Sequence, residues 1–235
     1  MLEKVKAWFN DRLTGSTEHH DLRHLAPIKT LAGQHLTDTR MIVLDLETTG
    51  LNVNKDEVIA IGAVAIDRLE IPLDDQFDLI LRRPELDIRE TVLIHGIGPE
   101  ALTRGHETED ALIHLLEWIN GDPILAFHAN FDQRFLEKAL KQRLGYNAPY
   151  AWLDVAEMLP ALFPQARPSS RSLDGWTEHF HLEVSERHHA AADALATAEL
   201  ALICLHYCLK QGVTTLCELE KKLRYQRQLN AMRRG

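Results

Sequence analysis

Residues 41–47, MIVLDLE, set the tightest constraint on what this chain can fold into. The run is apolar and β-rich, and in a strand alternate residues share a face, so Asp45 and Glu47 point to the same side. Two carboxylates held together in an apolar strand repel each other and lose hydration. That is tolerable where a cation or hydrogen bonds compensate, and a divalent metal does so directly. The alternative, an edge strand that turns both acids to solvent, needs no ligand.

The rest of the chain supplies a sheet for this strand. EVIAIGAVAI, from Glu57, follows the turn-like TTGLNVNKD, and FDLILRR, from Phe77, makes a third strand. Three strands with short connections imply an antiparallel meander. The pattern then alternates. Helical spacing over residues 107–120 ends at Gly121, PILAF from Pro123 is a short buried strand, and a helix over 131–144 stops at Gly145. WLDVAEMLPALF starts as a short strand or helix and is broken by Pro160 and Pro164; helices are expected over 172–180, 189–209 and 214–230. The assembly this predicts is α/β, a mixed sheet with helices on both faces. Around it, residues 1–40 are read as an amphipathic helix (Leu2, Val5, Trp8, Phe9, Leu13) with an extended segment, 41–209 as the main domain, and 210–235 as a basic helical tail.

Charge and cysteine content narrow the function classes. The chain of 235 residues has a formal charge of -9, which argues against a grip on a polyanion by phosphate neutralisation alone. Its distribution is uneven. Residues 210–235 hold seven Lys or Arg against Glu218 and Glu220, a balance of +5 that leaves -14 elsewhere. Cys204, Cys208 and Cys217 are an odd number in one stretch, which is no disulfide framework and implies a reducing, cytoplasmic setting. The spacing of Cys204 and Cys208 fits a core helix, with no second pair to complete a zinc site. Glu3, Lys4 and Lys6 interrupt the N-terminus, so neither a secretory signal nor a membrane span is expected there. His19, His20, His24 and His35 form no pattern and are read as solvated surface.

Two more acids stand where chemistry is usually placed. Phe131-Asp132 lies where a buried strand gives way to a helix, at the carboxyl end of the sheet; as a helix N-cap, Asp132 would need no further role. In His188-His189-Ala190-Ala191-Ala192-Asp193, small residues let a helix approach a sheet closely, while Asp193 projects from its first turn. His188, just ahead of that helix, suits an imidazole exchanging protons near neutral pH.

In this order and at these separations, LDLETTGL, His95-Gly96-Ile97, Phe131-Asp132, SLDGW and SERHHAAADALATAEL resemble the DEDDh exonucleases of the DnaQ-like family, which includes proofreading exonucleases of bacterial replicative polymerases. The resemblance runs from about residue 41 to 209 and implies an RNase H-like fold. By it, Asp45, Glu47, Asp132 and Asp193 would hold two divalent ions, Mg²⁺ or Mn²⁺, with Asp45 touching both. His188 would be the general base, chosen over His189 because it stands five residues before Asp193; Thr48, Leu51, His95 and Phe131 would line the pocket for the terminal nucleotide. One departure is Phe127-His128-Ala129, where many members have His-Asn-Ala. The function implied is 3′-5′ hydrolysis of single-stranded or frayed DNA, with a DNA polymerase or another replication or repair protein as partner and no membrane. The alternatives are an RNA 3′-trimming exoribonuclease and a catalytically silent nucleic-acid-binding module.

Overall fold

A computed structural model of the chain describes residues 21–86, 92–147, 149–184 and 187–232. The expected N-terminal helix, His19, His20, Arg233 and Arg234 lie outside them. Strands β1 (Met41–Thr48), β2 (Val58–Ile66), β3 (Gln76–Ile80), β4 (Ile124–Ala126) and β5 (Trp152–Asp154) form a sheet in the order β3-β2-β1-β4-β5. The first three pair antiparallel, and β4 and β5 extend the sheet in parallel. This is the mixed RNase H-like α/β sheet that the sequence implies.

Alternation along β1 divides the core. Ile42, Leu44 and Leu46 pack under α3 (Thr108–Ile119) and α4 (Asn130–Leu144), together with Leu112, Leu116, Phe135 and Leu140. Met41 and Val43 face α5 (Val155–Leu162), α6 (Leu173–His179), α7 (Ala190–Lys210) and α8 (Leu216–Met232). Asp45 and Glu47 continue the second face, so both acids emerge under α7. Two short helices, α1 (Val92–His95) and α2 (Pro99–Arg104), connect the meander to α3 and have no counterpart in the sequence-based expectation. α5 continues through Pro160, contrary to the expected break. A proline this near the end of a short helix forfeits one backbone hydrogen bond, and buried Met158, Leu159 and Leu162 hold the turn against the core.

The flanking segments close around the pole where β1 begins. Leu36 is fully buried, its N–H donates to Thr214 O, and Leu216 N–H donates to Gln34 O. Arg40 forks onto Asp75 at 3.0 and 3.1 Å, reaches Asp122 at 2.8 Å and lies over the Trp118 ring at 4.9 Å. α8 buries Leu216, Leu219 and Leu223, and its Arg227 pairs with Glu157 and Glu220. Cys204 and Cys208 are core residues, and His24 and His35 are exposed, as expected. By length and apolarity α7 would also suit a membrane span, but most of its residues are part of the core under the sheet.

One close approach sets where α7 meets the sheet. Gly62 on β2 pairs with Asp45 on β1, and a Cβ added to Gly62 would lie 2.1 Å from both Ala190 C and Ala191 N. The first turn of α7 therefore rests on bare sheet backbone, near enough for Asp193 to reach Asp45. Gly62→Ala should push that turn outward and cost about 1–3 kcal/mol, the usual range for overpacking. Thermal unfolding checks this, and a melting temperature equal to the parent's would contradict the packing.

Candidate active site

Carboxylate oxygens of Asp45, Glu47 and Asp193 lie within 4.8 Å of one another. The first two come from β1, two residues apart on one face; the third comes from the first turn of α7, lowered onto the sheet at Gly62. Asp132 adjoins the three without joining them. It sits in the first turn of α4, on the other side of the sheet, and its Oδ1 accepts the Leu46 N–H at 3.1 Å, between the two β1 acids.

This cluster is electrostatically unfavourable by itself. Burial raises Asp45 well above the ordinary carboxylate range, the charges of Asp132 and Glu47 add to it, and Arg187 pulls back. Burial likewise pushes Glu47 up to about 7, again opposed by Arg187. Asp132 is raised first by burial, against the backbone N–H groups of Asp132 and Leu46, and further by Asp154 and Glu47. Hard oxygen donors gathered this closely and held against their own repulsion are the donor set a divalent cation takes. The residues present fit such a group.

Two histidines flank the cluster in left-handed backbone, His128 at φ 64° and His188 at φ 61°. Such conformations are strained for residues with a side chain and persist where the surroundings enforce them. Each here gives its N–H to an acid: His128 to Asp154 Oδ1 and His188 to Asp193 Oδ2, both at 3.1 Å. The His188 side chain is exposed. His189 turns elsewhere, its Nε2 lying 3.9 Å from Asp78 Oδ2 on β3.

The residues expected around the terminal nucleotide differ in exposure. Thr48 is buried, with its hydroxyl donating to Gly50 O at 2.8 Å. Leu51 stands 86% exposed on the β1–β2 turn, which Lys138 of α4 holds through Asp56 O at 2.7 Å and Glu57 at 3.0 Å. Phe131 is half-buried against Phe135, ring centroids 4.7 Å apart. His95 is buried in a compact turn: Gly96 takes φ 69°, and the Ile97 N–H donates to His95 Nδ1 at 3.1 Å. Burial and the charge of His188 both lower its pKa, and the acceptor role of Nδ1 puts the proton of a neutral ring on Nε2. That nitrogen has no hydrogen-bond partner among the described residues.

Sequence reasoning passed over Asp154 and Arg187. Asp154 ends β5 as Asp45 ends an apolar run, caps α5 through the Ala156 N–H at 2.9 Å and adds its charge to Asp132. Arg187, next to His188 in the chain, forms ion pairs with Asp193 and Asp174.

The exonuclease family model RNase_T matches residues 42–201. The DNA polymerase III PolC-type of Thermotoga maritima is 35% identical over 184 residues, covering 78% of this chain, and that of Bacillus subtilis is 29% identical over 190 residues, covering 80%. The chain spans 13% of the length of each. In fold it is similar to E. coli Exonuclease I in complex with a dT13 oligonucleotide, with a TM-score of 0.64 at 18% identity over 74% of this chain and 42% of that one.

The raised pKa of Glu47 has a consequence for stability. Its carboxyl ordinarily titrates near 4.5 and here near 7, so between those values the folded state holds the proton that the unfolded chain has released. In metal-free protein the penalty of ionising this group is absent below pH 4.5 and complete above pH 7, and stability falls as pH rises through that window. Glu47→Gln should therefore melt with the parent at pH 4 and at least about 2 °C above it at pH 8 in EDTA. Parallel melting curves at both pH values would refute this.

Proposed function

The chain belongs to the RNase_T exonuclease family, and on that premise we propose that it removes nucleoside monophosphates from the 3′ end of single-stranded or frayed DNA. The observation that carries the reading is the meeting of Asp45, Glu47 and Asp193 from two elements distant in sequence, with His188 beside them. Asp45, Glu47, Asp132 and Asp193 would hold two divalent ions, Mg²⁺ or Mn²⁺. Such a pair, when bound, steadies the attacking and leaving oxygens of a phosphodiester in line. Four carboxylates against two doubly charged ions also explain how an acidic protein accommodates an anionic substrate.

The protein's own groups supply the rest. His188, exposed at the mouth and fixed by its N–H to Asp193, accepts the proton of the attacking water. His95 Nε2–H is a buried donor that a group on the terminal nucleotide would satisfy. Leu51 and Phe131 offer apolar surface to the terminal base, and Thr48 fixes the turn that presents Leu51 through its bond to Gly50. Residues 41–209 form the exonuclease domain in this reading. The PolC-type relatives are DNA polymerases by name, which supports a polymerase or another replication or repair protein as partner, in the cytoplasm.

Digestion of matched 3′-labelled and 5′-labelled DNA and RNA oligonucleotides, with and without EDTA, tests polarity, sugar preference and metal dependence together. Preference for RNA would make the protein a 3′-trimming exoribonuclease, and no hydrolysis at all would make it a silent nucleic-acid-binding module. Asp45→Ala, Glu47→Ala and Asp193→Ala should each abolish hydrolysis in a folded protein. His188→Ala should lower the rate about 10²–10⁴-fold, the usual worth of general-base catalysis, and His189→Ala far less. The reverse order of damage would put the base at His189.

A further inference from the structure

Arg187 is not among the groups assigned above, yet its guanidinium occupies the acidic cluster. Its Nη1 donates to Asp193 Oδ1 and its Nε to Asp174 Oδ1, while Asp193 Oδ2 accepts the His188 N–H at 3.1 Å. Both oxygens of Asp193 are thus engaged by two adjacent residues. A cation that takes this carboxylate must first dislodge the guanidinium from Oδ1. Asp174 gives the guanidinium a place to remain: it lies in the first turn of α6, its side chain is 63% exposed, and it is bonded through a different nitrogen.

We propose that Arg187 is an exchangeable counter-ion. It neutralises Asp193 in metal-free protein and withdraws onto Asp174 when a divalent cation takes Asp193. The inference rests on the proposed reading of the cluster as a metal site. The guanidinium suits the task because its donors diverge from a planar fork, so one contact can break while the other holds; a lysine ammonium is a single point. The arrangement also couples two events. His188 follows Arg187 directly, and its strained backbone is bonded to the same carboxylate, so a cation arriving at Asp193 acts on the segment that carries the base.

Calorimetric titration of the full chain with Mn²⁺ tests this without reference to hydrolysis, using Arg187→Ala and Arg187→Lys beside the parent. Both variants should bind Mn²⁺ more tightly, on the order of tenfold, as expected when a competing ligand is removed. In EDTA both should melt below the parent, having lost the fork between α6 and α7. The lysine variant separates this from a general field effect, because it keeps the charge and loses the fork, and it serves alone if the alanine variant fails to fold. Parent-like affinity in Arg187→Lys, or weaker binding in either variant, would overturn the proposal. A parent protein that binds no Mn²⁺ would instead overturn the metal reading on which it stands.

Discussion

The contact between Gly62 and the first turn of α7 is the one on which the rest of the site depends. A helix ordinarily stands off a sheet by the depth of the side chains between them. Here glycine on the sheet meets Ala190 and Ala191 on the helix, and the separation collapses to backbone on backbone. Since Gly62 is the register partner of Asp45, the collapse occurs beside the first acid of the cluster, and Asp193 arrives within 4.8 Å of Asp45 and Glu47. The alanines of α7 and the single glycine of β2 therefore set the acidic cluster as much as the packing.

The acids so assembled weaken the fold that holds them. Asp45 and Glu47 occupy positions where the pattern of β1 calls for two more residues like Met41 and Val43, and burial opposes the charged form of both, with neighbouring carboxylates adding to it at Asp45. The opposing stability comes from elsewhere: β2 is buried along its whole length, two apolar clusters sandwich the sheet, and the Arg40 fork with Leu36 closes the far pole. Concentrating the unfavourable electrostatics at one edge leaves the other three sides of the sheet free to be ordinary core.

Much of this was legible in the sequence, and the exceptions have physical reasons. The strand period placed Asp45 and Glu47 on one face, the small residues after His189 announced a helix lying close to a sheet, and glycines marked where α3 and α4 stop. Periodicity could not show that Asp132 approaches from the opposite face and bonds to the Leu46 amide, because that depends on which side of the sheet α4 crosses. The free Nε2 of His95 follows from a turn at Gly96 and the Ile97 amide, a tertiary detail without a compositional trace. Arg187 has no pattern around it in the sequence, and only its two partners, from different helices, give it meaning. Pro160 was misleading for a different reason: its local rule holds, but burial of its neighbours outweighs one lost hydrogen bond.

The orientation of three helices has a further effect at the same place. α4 begins four residues after β4, α5 begins directly after β5, and α7 begins over β2 beside Asp45. All three begin beside these acids, with Asp132 and Asp193 in first turns and Asp154 as a cap. Aligned peptide dipoles leave roughly half a positive charge at each helix start. The acids thus lie at helix starts, where the dipoles offset part of the cost that burial and neighbouring charges put on their ionised forms.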